Sequence, residues 1–122
     1  MKRILLLLLL CSTTLLMAQQ TDPIQEAMAS YDYETALSLI AQKKPATPLL
    51  LQKGKALRSL GLNAEALSTY QEIIGKDSTN TRALIEAAEC CRTLAKYKQA
   101  SAYYEKVLDL TPENKYVRIQ YI

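Results

Sequence analysis

Residues Ala95–Asn114, AKYKQASAYYEKVLDLTPEN, repeat the layout of Gly61–Asn80, GLNAEALSTYQEIIGKDSTN, at an interval of thirty-four positions. Ala66 aligns with Ala100, Tyr70 with Tyr104, Ile73 with Val107, Ile74 with Leu108 and Asn80 with Asn114. A helix-sized amphipathic pattern repeated at a fixed interval constrains the fold more than composition does. Two helices with one shared apolar face cannot bury that face alone, whereas stacking a copy against it makes a continuous core. The expected fold is all-α, built from antiparallel helix–turn–helix units stacked in series.

Local signals agree. Glycine occurs only three times and no stretch alternates apolar and polar residues for long, so strands are not expected. Helix starts are marked by Asp22-Pro23, Thr47-Pro48 and Thr111-Pro112, each read as an N-cap followed by proline, and by Asn63 and Asn80 as further caps. Gly61 follows Leu50, Leu57 and Leu60, where a left-handed C-terminal residue belongs. These marks predict helices near 23–30, 34–44, 48–60, 64–75, 81–94, 97–110 and 113–122, with short connections that make neighbours antiparallel.

The thirty-four-residue helix–turn–helix period resembles the tetratricopeptide repeat (TPR) family. In Thr47–Asn80, Leu50 stands at the family's first large apolar position, Gly54 at the helix contact, Gly61 at the turn, Ala66 at the second helix's small contact and Tyr70 at its aromatic place. In Thr81–Asn114 the same places hold Leu84, Ala88, Ala95, Ala100 and Tyr104, and Pro112 fills the closing proline. Leu57 and Cys91 replace a preferred tyrosine, and Ser78 replaces the first repeat's closing proline. The resemblance implies a short right-handed α-solenoid. It divides residues 19–122 into a degenerate unit at 23–46, repeats at 47–80 and 81–114, and a partial repeat at 115–122. In the first unit Ala36 precedes Ala66 by thirty residues, so its second helix is expected to be shortened, ending before Pro45.

Residues 1–18 have a separate purpose. Lys2 and Arg3, the apolar run Ile4–Leu10 and a polar switch at Gln19 form the layout of a secretory signal peptide, with Ala18 before the cut. Cys11-Ser12-Thr13-Thr14 interrupts the apolar run too early for a spanning helix. Lipid attachment at Cys11 is the alternative, but Leu10 stands where a lipidation site carries a small residue, so simple cleavage is preferred. The expected location is periplasmic or secreted. Removal of the leader takes two of fifteen basic residues, leaving 13 against 12 acidic and a charge of +1. Near-neutrality gives no electrostatic case for nucleic acid or an anionic membrane.

Nothing points to catalysis. The chain has no histidine, which removes the commonest general base and zinc ligand. Cys90-Cys91 has no second pair to complete a metal site, and adjacent Cα atoms about 3.8 Å apart lie below disulfide range, so the pair reads as structural. Glu86 and Glu89 share a helix face, but Arg82–Glu86 and Glu89–Arg92 at helical spacing read as ordinary ion pairs. No catalytic residue, cofactor, metal or small-molecule substrate is expected.

The resemblance further implies that first helices line a concave groove for a peptide or helix of a protein partner. The corresponding residues are Leu51, Gln52, Lys55, Arg58, Arg82, Ile85, Glu86, Glu89 and Arg92, followed by Tyr116 and Ile119. Some members hold a C-terminal carboxylate in a Lys/Asn/Arg clamp. Here Leu51, Gln52, Lys55, Arg82 and Glu86 occupy those places, so most of the clamp is missing and an acidic side chain intrudes. An exported interaction scaffold is the leading expectation. The alternatives are a structural or self-associating piece of a longer array, and the non-catalytic part of a larger enzyme or envelope complex. The apolar segment KYVRIQYI at Lys115–Ile122 bears on the second. Either the natural polypeptide continues into further repeats or this edge stacks on another copy, and stopping inside a repeat favours continuation.

Overall fold

A computed structural model describes residues 21–121; the leader with Cys11 lies outside the described residues, as do Ile122 and the side chain of Tyr121. Within them the chain forms seven helices and no strand: α1 Pro23–Ala29, α2 Tyr33–Ala41, α3 Thr47–Ser59, α4 Asn63–Lys76, α5 Thr81–Thr93, α6 Tyr97–Leu110 and α7 Lys115–Tyr121. Each helix packs chiefly on its predecessor and successor in sequence, which is the contact pattern of a helical-repeat solenoid. The expected all-α architecture is the one observed.

Three hairpins, α1–α2, α3–α4 and α5–α6, share one turn. At Tyr31, Gly61 and Ala95 the backbone is left-handed, with φ of 61°, 78° and 58°. Each turn closes with the same two bonds. The N–H of Asp32, Leu62 and Lys96 donates to the carbonyl of Ala27, Leu57 and Cys91 at 2.8–2.9 Å, and the preceding N–H reaches back three residues. This double bond satisfies the carbonyls left orphaned at a helix end. Only Gly61 adopts the conformation without steric cost; tyrosine and alanine hold it because the packed hairpin demands it.

The structure corrects several expected caps. Asp22 and Asn80 do cap α1 and α5, accepting from the N–H of Ile24 and Ala83, both at 3.0 Å. Thr47 does not cap α3. It is the first helical residue, and Ala46 occupies the cap without a side-chain bond. Proline fits either of the first two helical places, so Pro48 does not specify which residue caps. Asn63 likewise falls inside α4, with Leu62 at the cap, and its amide turns back to the Gly61 carbonyl at 3.3 Å. Thr111 closes α6 rather than opening α7, its N–H and hydroxyl both donating to the Val107 carbonyl. Asn114 caps α7 by accepting from Val117 N–H at 3.1 Å, repeating the Asn80 cap thirty-four residues on.

Small residues sit where pairs of helices meet: Ala36, Ala66, Ala88 and Ala100 are all buried. At Gly54 a Cβ would lie 2.4 Å from Tyr70 Cζ, so only glycine lets α3 approach the α4 ring as it does. Tyr70 and Tyr104 are among the largest fully buried side chains, and with Leu50, Ile73, Leu84, Val107 and Val117 they form one continuous core from α3 to α7. Both Cys90 and Cys91 are buried in it as free thiols.

Candidate functional site

The first helix of each unit lies beside the first helix of the next, in a register that recurs. Arg58 on α3 donates to Glu86 on α5, and Arg92 on α5 donates to Gln120 on α7 at 2.7 Å; each pair is twenty-eight residues apart. Gln52 on α3 reaches Gln25 on α1 at 3.4 Å. The recurrence follows from the sequence, since Arg58 and Arg92 are repeat equivalents.

Between these helices runs a groove. One cavity of about 510 Å³ is lined by Leu51, Lys55, Arg58 and Ser59 of α3, by Asn63 and Tyr70 of α4, and by Arg82, Glu86 and Thr93 of α5. A second, of about 340 Å³, adds Gln25 and Met28 of α1 with Pro48 and Gln52. Leu51, Lys55 and Arg82 line both, so the two are one trough over α1, α3 and α5. Six of the residues expected to line a groove are brought together here: Leu51, Gln52, Lys55, Arg58, Arg82 and Glu86.

The other five do not line it. Ile85 is partly buried against the core. Tyr116 joins Glu89 and Arg92 at the α5–α7 junction, and Ile119 stands exposed on α7. Glu89 Oε1 accepts from Tyr104 Oη at 2.7 Å and from Tyr116 Oη at 2.6 Å, and its Oε2 accepts from Arg92 at 3.3 Å. Burial alone would raise the Glu89 pKa, but the hydrogen bonds from Tyr116 and Tyr104 and the charge of Arg92 outweigh it and hold the carboxyl below its usual range. Burial, reinforced by the bond to Glu89, pushes the Tyr104 phenol up to about 12.

The expected Arg82–Glu86 pair is also corrected. Glu86 pairs across helices with Arg58, both partly buried, while Glu89–Arg92 pairs along α5 as expected. Burial lowers the Arg58 pKa, but hydrogen bonding to Glu86 and its charge raise it further, for a net increase. Among the described residues, Lys55 and Arg82 have no carboxylate within ion-pair distance. The trough therefore presents two free cations beside Leu51, with the buried Tyr70 ring at its floor.

Sequence reasoning missed Tyr70, Asn63, Ser59, Thr93 and Pro48 as lining residues, and Gln25 and Met28 of α1. For Tyr70 the repeat alignment gave its place as an aromatic filler between repeats, and its ring end reaches the trough past Gly54. For Gln25 and Met28 no signal existed, since the irregular spacing of the first unit leaves its register undefined.

The fold is a helical-repeat solenoid with a trough along its first helices. Residues 81–114 match the sequence profile described as tetratricopeptide repeat. No curated protein matches the chain by sequence. Among solved structures it is similar to PcrH from Pseudomonas aeruginosa in complex with the chaperone-binding region of PopB. That pair shares 19% identity over 80% of this chain and 85% of that one, with a TM-score of 0.69. It is similar also to the first TPR domain of human RPAP3 bound to an HSP90 peptide, at 22% identity, 80% and 81% coverage and a TM-score of 0.72. The Arabidopsis OM64 TPR domain matches at 17% identity, 81% and 85% coverage and a TM-score of 0.72. At these identities the likeness establishes the fold.

Among the described residues, no cluster of His, Cys, Asp or Glu is placed to hold a metal ion, and no helix is long and apolar enough to cross a membrane.

Proposed function

We propose that this chain is an exported interaction scaffold that holds a peptide or helix of a partner protein in the trough over α1, α3 and α5. One observation carries the reading: an open, continuous trough in which Lys55 and Arg82 stand unpaired beside Leu51 and Tyr70. Unpaired cations next to apolar surface fit a segment carrying carboxylates and one or two apolar anchors. Support comes from the similar structures, in which PcrH holds a region of PopB and the RPAP3 domain holds a peptide. Export rests on the layout of residues 1–18 and places the partner in the periplasm or outside the cell.

The test is capture from an envelope extract by the processed chain and by a Lys55→Glu/Arg82→Glu variant. Arg58 is left intact because it already pairs with Glu86 and its loss would strand a partly buried carboxylate. The expected result is a defined protein captured by the wild type and lost by a variant that melts at the same temperature. Equal capture by the folded variant would refute the trough as the binding site.

A self-associating role is the second reading, favoured by Ile119 and Tyr116 on α7, which are 70% and 49% exposed. Light scattering across a concentration series checks it: Ile119→Lys is expected to reduce any dimer to monomer, and a wild type monomeric throughout removes this reading.

A further inference from the structure

The chain supplies its own standard for what a complete repeat buries. Ala36, Ala66 and Ala100 are the fourth residues of α2, α4 and α6, which aligns the three second helices. Near the ends of α4 and α6, Ile73 and Val107 are fully buried, and Ile74 and Leu108 pack partly against the core. These pairs close over the next repeat's first helix. The equivalent places in the first unit are Lys43 and Lys44, both exposed. There α2 ends at Ala41, having nine residues where α4 and α6 have fourteen.

The loss of that cover shows on α3. On α5, Ala83 and Ala87 are fully buried; their α3 counterparts, Leu49 and Lys53, are only partly so. A hollow of about 440 Å³ remains, floored by Leu37, Ile40, Leu49 and Leu57. It is separate from the trough, because Lys53 and Lys55 project about 200° apart around the helix at about 100° per residue.

Charge identifies the occupant. Lys43, Lys44 and Lys53 border the hollow, and none has a carboxylate partner among the described residues. The acid in its lining, Glu72, is paired with Lys76 at 3.8 Å. An adjoining hollow of about 340 Å³, sharing Lys53, Leu57 and Glu72, adds Glu65 on the far side from Lys43 and Lys44. A second copy offering α7 would bring Lys115 and Arg118 and no acid, a like-charge match. We infer that the hollow is a second docking site, which takes an acidic amphipathic helical segment of a partner protein. Its apolar side chains occupy the place that Ile73 and Ile74 fill one repeat later, and its carboxylates meet the three lysines.

Fluorescence anisotropy of the processed chain tests this with two short labelled peptides, each carrying neighbouring isoleucines, one flanked by glutamates and its twin by lysines. The glutamate peptide is expected to bind saturably and at least about tenfold more tightly than its twin, since like charges at an interface are costly. Lys43→Glu/Lys44→Glu is expected to reverse that preference. Lys43→Ile/Lys44→Ile, which supplies the missing cover from within, is expected to block both peptides. The trough variant Lys55→Glu/Arg82→Glu is expected to bind as wild type does. Equal affinity for the twins, no saturable binding, or loss in the trough variant with retention in the two hollow variants would overturn the assignment.

Discussion

Gly54→Ala isolates the contact that sets the α3–α4 spacing. The added Cβ would fall 2.4 Å from Tyr70 Cζ, 2.6 Å from Cε1 and 2.8 Å from the hydroxyl oxygen. Such distances require movement. Tyr70 is 1% exposed, so its ring has little free space, and the relaxation open to it is toward the trough that it borders. Overpacking of this kind costs about 1–3 kcal/mol. Against it, alanine inside a helix gains about 1 kcal/mol over glycine. The clash outweighs the propensity, leaving a net loss of about 1 kcal/mol, or about 4–8 °C in melting temperature for a domain of this size. Thermal melts followed by circular dichroism measure it. The double variant Gly54→Ala/Tyr70→Leu removes the clashing ring end, so within that background Gly54→Ala is expected to become stabilising. A rise in melting temperature for Gly54→Ala alone would refute the close-contact reasoning. Ala88 makes the comparison informative, because at the equivalent place a methyl already coexists with Tyr104, whose hydroxyl is held by Glu89.

Three further outcomes are expected. Ala95→Gly relieves a left-handed residue at about 1–2 kcal/mol while loosening the unfolded chain by about 0.4–1 kcal/mol, so the melting temperature is expected to rise by a few degrees; an unchanged or lower value would count against strain at φ 58°. Glu89 has a depressed folded pKa, so its contribution is present above the unfolded carboxyl value near about 4.3 and is lost as pH falls through the folded value. Glu89→Gln is therefore expected to show a shallower acid decline in stability than wild type, and parallel profiles would sink the Tyr104–Glu89–Tyr116 account. Burial pushes the Cys90 thiol up to about 11 and raises Cys91 as well, so near about pH 8 both are expected to resist a thiol reagent until denaturant is added. Rapid labelling of the native protein at either cysteine would contradict their burial.

The sequence by itself determined the helical-repeat fold. Period, small contacts and aromatic fillers are local properties that recur, and stacking offers one way to bury them, so the positions of Gly54, Ala66, Tyr70 and the Gly61 turn could all be read off the chain. It also determined that the first unit would have a shortened second helix, because thirty residues cannot hold what thirty-four do. Helix entry points were less legible: Thr47, Asn63 and Thr111 have the chemistry of caps, but hairpin closure by the Gly61 turn and the path of α6 decided which residue stood outside the helix. Pairing across helices was decided only by tertiary structure. Arg82–Glu86 is sound by helical spacing, yet the offset between α3 and α5 brings Arg58 to Glu86 and leaves Lys55 and Arg82 free. The same register one repeat later brings Arg92 to Gln120 and Tyr116 to Glu89, while Tyr104 reaches Glu89 from within its own hairpin. Charges on a surface helix have several partners within reach along the chain, and which one is met depends on an interhelical register that no single helix encodes.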